Sequence, residues 1–136
     1  MAYINFNKFS FITADDHSVV TQSLSFILKD LYKDPIVFQI ENISDIIKVL
    51  NDNTVHLLLL DVAFPDGNSL GIIPTLKKMQ PELKILIFSG YDEEIYAIRY
   101  INAGANGFLS KISSEEEIKN AITAVMNSGK YLSKNI

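Results

Sequence analysis

The sequence predicts an α/β domain, a single doubly wound sheet of five parallel strands with helices on both faces. Three observations carry that expectation. Apolar segments of strand length alternate with amphipathic segments of helical period five times along the chain, the pattern of repeated βα units joined by right-handed crossovers. Leu57-Leu58-Leu59-Leu60 is a short apolar run closed by a turn signal, and a strand apolar on both faces belongs inside a parallel sheet. Acids, a hydroxyl and a lysine stand just after the strand-like segments, where open α/β sheets bind their ligands.

Composition sets the bounds. A length of 136 residues suits one domain with a substantial core. The hydrophobic share of 48% and the charged share of 21% are those of an ordinary globular chain. Cysteine is absent, which excludes a disulfide framework, a thiol nucleophile and a thiolate metal site and suits a reducing compartment. Twelve Lys and Arg against sixteen Asp and Glu leave a net charge of −4. No basic stripe is available to neutralise phosphates, so DNA binding is expected only through a domain absent from this sequence. The segment Met1 to Phe11 carries only Lys8 and no long apolar stretch, so no signal peptide is read, and no run reaches transmembrane length. The expected compartment is the cytoplasm, with no membrane contact.

The elements follow in order. Residues 5–14, aromatic and β-branched towards their end, form the first strand and close at Asp15-Asp16. Val20, Leu24, Ile27, Leu28 and Leu31 fall on one helical face, and Asp34-Pro35 ends that helix. Ile36–Ile40 is the second strand. Ser44 is the expected N-cap of a second helix with Ile43, Ile46, Ile47 and Leu50 apolar. The leucine run is the third strand. After Asp66-Gly67-Asn68 a third helix buries Leu70, Ile73 and Leu76, and Pro74 near its first turn predicts an irregular start. Lys84–Phe88 is the fourth strand, closing at Ser89-Gly90. The fourth helix, from about Asp92 to Asn102, is expected to turn Ile95, Ile98 and Ile101 inward, with Tyr96 and Tyr100 on a neighbouring stripe. Gly104 and Gly107 are C-cap candidates. Phe108-Leu109 is the fifth strand, closed by Ser110-Lys111. Ser114-Glu115-Glu116-Glu117 reads as a capping box, and the last helix buries Ile118, Ala121, Ile122 and Val125 before Ser128-Gly129. The domain is expected over residues 1–130, with 131–136 the start of a linker or C-terminal tail.

The strand ends carry the chemistry. Asp15 and Asp16 follow the first strand, Asp61 the third, Ser89 the fourth and Lys111 the fifth. First and third strands are neighbours in a doubly wound sheet, so three carboxylates converge. Clustered carboxylates repel and raise one another's pKa unless a cation sits among them. An oxygen-only set suits Mg²⁺, with Mn²⁺ as a substitute. Such a site could hold a phosphoryl group against Asp61 as nucleophile, with the Ser89 hydroxyl and Lys111 ammonium on its oxygens. Each residue alone has a plainer reading. Asp15-Asp16 suits the positive end of a helix, Ser89-Gly90 a turn and Lys111 a solvated surface. His17 beside the acid pair offers a metal ligand but reads rather as the first residue of a helix, and His56 reads as structural.

Taken together, these motifs resemble the response-regulator receiver domain from about Ser10 to Gly129. The resemblance implies a flavodoxin- and CheY-like strand order of 2-1-3-4-5. It implies that Asp15 and Asp16 are the acidic pair, Asp61 the phosphoacceptor, Ser89 the Ser/Thr position, Lys111 the lysine and Phe108 the aromatic switch position. The implied direct metal ligands are Asp16, Asp61 and the backbone carbonyl of Ala63, with Asp15 acting through water. Asp15-Asp16-His17, Ala103-Gly104-Ala105-Asn106-Gly107-Phe108-Leu109 and Gly129-Lys130-Tyr131-Leu132-Ser133 resemble the NarL/FixJ-type subgroup, in which a helix-turn-helix domain usually follows.

The implied function is a switch and not a turnover enzyme. A sensor histidine kinase or phosphotransfer protein gives a phosphoryl group to Asp61. Ser89 then moves towards it, Phe108 turns inward, and the face of the fourth helix, fifth strand and fifth helix changes. That face, with Tyr96, Tyr100 and Phe108, is expected to meet a partner or a second copy in a homodimer. Departures from the family pattern lie around the site. Gly67 comes early and Ser69 takes the usual Gly position. Ile112 replaces a proline that often follows the lysine with a cis bond, which is expensive outside proline. Phe108 lacks the hydroxyl of the commoner Tyr, and Tyr91 is bulky. The competing reading is a receiver-like interaction module that is never phosphorylated, against which the complete residue set argues. A phosphatase with an aspartate nucleophile would resemble Asp-x-Asp, which Asp61-Val62-Ala63 lacks. A dinucleotide enzyme would need a glycine loop after the first strand.

Overall fold

Short apolar segments pair side by side in the computed structural model, which describes residues 8–91 and 93–132. The strands are β1 (Ser10–Ala14), β2 (Ile36–Ile40), β3 (Leu57–Leu60), β4 (Lys84–Ser89) and β5 (Gly107–Ser110). All pairings in this sheet are parallel, and the order is β2-β1-β3-β4-β5, as expected. Asn5 to Asn7, at the predicted start of the first strand, lie outside the described residues, as do Asp92 and residues 133–136. Among the described residues no helix is long and apolar enough to cross a membrane.

The leucine run explains the two-layered core. Successive side chains of a strand point to opposite faces. Leu57 and Leu59 pack with Leu24 and Leu28 of α1 (Ser18–Leu31) and with Ile122 of α5 (Glu115–Ser128). Leu58 and Leu60 pack with Ile46 of α2 (Ile43–Asp52), Leu76 of α3 (Ile73–Met79) and Tyr100 of α4 (Glu93–Ala103). All four leucines are buried, each contributing roughly 1.5–3 kcal/mol. They fix β3 between two helical layers, and Asp61 stands on its end.

Local signals account for most boundaries. Ser114 caps α5, accepting from the Glu117 N–H at 3.1 Å. Gly129 ends that helix in the left-handed region at φ 77°. The third helix starts irregularly, with a 3₁₀ turn over Ser69–Ile72 before α3 and Pro74 in the first turn. Two expectations shift by a residue or more. The cap of α2 is Asn42, which accepts from the Asp45 N–H at 2.9 Å, while the Ser44 hydroxyl only donates to Asn42 Oδ1. Gly104 follows α4 at φ 119°, but Gly107 lies inside β5. A Cβ there would come 2.7 Å from the Tyr131 carbonyl oxygen, so this glycine permits Tyr131 to bridge to the sheet edge.

The face of α4 is the main correction. Ala97 and Tyr100 turn inward and are fully buried, whereas Ile95 is 56% and Ile98 52% exposed and Ile101 is half-buried. The small Ala97 lets the helix approach the sheet, and Tyr100 fills the space beside Phe108, ring centroids 6.1 Å apart. A buried tyrosine also needs a partner for its hydroxyl, and Tyr100 finds one in Ser69 at 3.1 Å. Tyr100 and Phe108 are therefore core residues, not part of an exposed partner face.

Candidate functional site

The ladder hydrogen bonds carry the candidate residues to one edge. The Asp15 N–H donates to the Ile40 carbonyl and the Asp61 N–H to the Ala14 carbonyl, both at 3.0 Å. Each aspartate is thus held by the strand beside it. The Lys111 N–H donates to the Ser89 carbonyl at 2.8 Å, which joins the ends of β4 and β5. From there the Lys111 ammonium crosses back to β1 and β3. Its Nζ lies 2.5 Å from Asp15 Oδ2 and 3.1 Å from Asp61 Oδ2. Asp15 and Asp61 are buried and Asp16 is exposed. Asp15, Asp16, Asp61 and Lys111 are therefore brought together as expected.

Ser89 is buried at the end of β4, and its Oγ accepts the Tyr91 N–H at 2.9 Å. Its hydroxyl thus organises the turn into α4. Phe108, the expected aromatic switch position, is wholly buried and points inward. Tyr91 is exposed, its ring 5.2 Å from that of Tyr96. No peptide bond among the described residues is cis, the one after Lys111 included.

His17, expected as the first residue of a helix and not as a metal ligand, turns out to sit against the acid pair. It holds the N-cap position of α1 without making a side-chain cap. Its N–H donates to Asp15 Oδ1 at 2.8 Å, and its ring Nδ1 lies 2.9 Å from Asp15 Oδ1 and 3.1 Å from Asp16 Oδ1. The only signal in the sequence was its contiguity with the acid pair.

The charges are unequal. Burial pushes Asp15 up, but the Lys111 ammonium and the His17 N–H and ring outweigh it and hold this carboxyl below its ordinary range. Burial pushes Asp61 up; the Val62 N–H, 2.7 Å from Oδ1, opposes this while the Asp15 charge adds to it, and the carboxyl ends above its ordinary range. Burial lowers Lys111, but its two carboxylate partners reverse the sign and hold its proton. The Asp15 and Asp16 carboxylates raise His17.

The donor set fits a hard divalent cation. Asp15, Asp16, His17 and Asp61 each offer one ligand atom, all within 4.8 Å of one another. Asp15 Oδ2 is buried, and although the ammonium is close, it meets no aligned hydrogen-bond donor. Carboxylate oxygens with an exposed opening suit Mg²⁺. Ala63, whose carbonyl is the remaining expected ligand, is exposed two residues past Asp61.

The loop after Asp61 forms an antiparallel ribbon of Ala63–Phe64 with Gly67–Asn68. Gly67 takes φ 145°, which a side chain would disfavour. Asp66 at the tip reaches back to α2 and accepts from the Ile43 and Ser44 N–H groups at 2.9 and 3.1 Å. Ser69 is buried beneath, hydrogen-bonded to main-chain carbonyls of Asp61 and Val62.

Comparison with known proteins finds the same fold and a family match. Residues 11–123 match the family described as the response regulator receiver domain. The Fimbriae Z protein of Salmonella typhimurium is 30% identical over 118 residues, covering 87% of this chain and 56% of that protein. The oxygen regulatory protein NreC of Staphylococcus epidermidis is 31% identical over 123 residues, covering 89% and 56%. The chain thus spans about half the length of the curated relatives it matches. Among solved structures, the isolated REC domain of RcsB from Salmonella enterica serovar Typhimurium superposes with a TM-score of 0.83 at 21% identity, covering 95% of this chain and 96% of that one. A CheY-like receiver domain protein from Methanospirillum hungatei gives 0.80 at 18% identity, covering 89% and 95%.

Proposed function

Because the chain belongs to the response regulator receiver domain family of two-component signalling, we propose that Asp61 is the carboxylate on which its phosphoryl signal is written. The observation that carries this reading is the shared lysine. Lys111 bridges the buried Asp15 and Asp61, which holds one Asp61 oxygen within the acid cluster. Asp61 attacks the phosphorus of a kinase phosphohistidine, or that of a phosphotransfer protein. The P–N bond breaks and an acyl phosphate forms. Asp15, Asp16, Asp61 and the Ala63 carbonyl would hold Mg²⁺ or Mn²⁺, which neutralises charge on the transferring group. Lys111 offers its ammonium to the phosphoryl oxygens, and Ser89 its hydroxyl after release from Tyr91. Phe108 stands inward in this structure, and the switch trades that position against an outward one.

In this reading residues 1–130 are the receiver domain and 131–136 the start of a linker or C-terminal tail. The curated relatives extend beyond the matched region, which is 56% of their length, so the output we propose is transcription through a helix-turn-helix domain in the cytoplasm, with a homodimer as one signalling form. The test uses Mg²⁺ and acetyl phosphate with intact-mass detection. One phosphoryl adduct on the wild type and none on Asp61→Asn supports the reading. No adduct under conditions that label a control receiver overturns it in favour of a constitutive interaction module.

A further inference from the structure

Ser69 and Tyr100 form a link that the catalytic reading does not use. The Ser69 Oγ lies 2.6 Å from the Asp61 carbonyl oxygen and 2.9 Å from that of Val62, and the Ser69 N–H donates to the same Val62 carbonyl at 2.9 Å. Carbonyls only accept, so the Ser69 hydroxyl hydrogen is spent on them. The Tyr100 hydroxyl, 3.1 Å from Ser69 Oγ, is therefore the donor of that pair. Both residues are buried, where leaving either oxygen without a partner is costly. Two hydroxyls in series thus connect α4 to the main chain leaving Asp61. A glycine at position 69 could make neither side-chain bond. Phe108, in the layer beside Tyr100, has no hydroxyl to offer.

We propose that Ser69 and Tyr100 are positioning residues that hold the Asp61–Ala63 main chain in its cation-binding shape. The proposal rests on the reading of Asp61 and Ala63 as cation ligands. Ser69 acts through two main-chain carbonyls, and Tyr100 acts chiefly through Ser69, its hydroxyl also lying 3.5 Å from Asn68 Oδ1. Neither touches the reacting atoms. The direction of the Ala63 carbonyl depends on the two peptide units before it, and those units are the ones tied down.

The test is calorimetric titration of Mg²⁺ alone into the wild type, Tyr100→Phe, Ser69→Ala and the double variant. Hydrogen exchange of the Val62 to Phe64 amides is measured in the metal-free proteins. Tyr100→Phe keeps the buried ring, and thermal melting verifies its fold. Each single substitution is expected to weaken Mg²⁺ roughly three- to tenfold, the loss of about one hydrogen bond. The double variant is expected to bind no more weakly than Ser69→Ala, because the two hydroxyls act in series. Exchange is expected to rise in both single variants. Unchanged Mg²⁺ affinity in Tyr100→Phe, or losses that simply add, overturns the proposal. If Asp61→Asn binds Mg²⁺ like the wild type, the ligand reading itself falls. Exchange then decides on positioning, and unchanged protection in Tyr100→Phe overturns it.

Discussion

Lys111 reaches Asp61 across the intervening strand β4, with Nζ 3.1 Å from Oδ2, although they are 50 residues apart in sequence. The same ammonium pairs with Asp15. One cation thus offsets part of the repulsion between two carboxylates inside a partly buried crevice.

Removing that cation has a predictable effect. Lys111→Met is expected to destabilise the metal-free protein by about 1–3 kcal/mol, less than a fully buried pair would lose because the ammonium keeps some contact with solvent. Mg²⁺ then has an uncompensated acid cluster to enter and raises the melting temperature of the variant more than that of the wild type. Thermal denaturation with and without Mg²⁺ measures both.

The two buried aspartates carry pH dependences of opposite sign. The folded pKa of Asp61 lies above its ordinary value of 3.8. Its ionised form therefore costs stability above the folded pKa, and that cost fades as pH falls towards 3.8. Asp61→Asn is expected to raise the metal-free melting temperature at pH 7, with the gain shrinking towards pH 4. The folded pKa of Asp15 lies below its ordinary value. It contributes stability above 3.8 that is lost as pH falls through the folded pKa, so Asp15→Asn lowers the melting temperature most at neutral pH. Equal pH profiles for the two variants would contradict the assignment.

Asp66 ties the loop to α2. The Ile43 N–H holds its carboxyl below the ordinary range against the opposing effect of burial, with the Ser44 N–H adding to the lowering. A depressed folded pKa means that this cap acts above 3.8 and is lost as pH falls through the folded value. Asp66→Ala is expected to speed hydrogen exchange at Ile43 and Ser44 at neutral pH, with wild type and variant converging in acid.

The orientation of α4 is tested by substitution on its two sides. Ile95→Ser and Ile98→Ser are expected to change stability by no more than about 0.5 kcal/mol. Tyr100→Ala, which empties a buried site, is expected to cost about 3–5 kcal/mol. Urea denaturation separates the two outcomes.

Much of this architecture was legible in the sequence because its signals are local. The apolar run Leu57 to Leu60 needs two covered faces, and Ser114 with the acids after it announces a helix start. The candidate site was legible because strand ends in such a sheet converge by topology alone. What was hidden depends on contacts distant in sequence. The period of Ile95, Ile98 and Ile101 pointed to the wrong face of α4, because a hydroxyl partner on Ser69 and the space beside Phe108 outweigh three isoleucines. Asn42 displaced Ser44 as a cap because it lies one residue before the helix start. His17 gave no sign beyond its neighbours, since only the fold turns its ring onto Asp15 and Asp16.

The most direct measurement reads the chemistry at Asp61 itself. The protein is treated with Mg²⁺ and acetyl phosphate, reduced with borohydride and mapped by tandem mass spectrometry. An acyl phosphate is reduced to the alcohol, so phosphorylated aspartate is converted to homoserine. Homoserine at position 61 and at no other aspartate is the predicted result. Homoserine elsewhere, or none at position 61 when a control receiver is converted, would contradict the account.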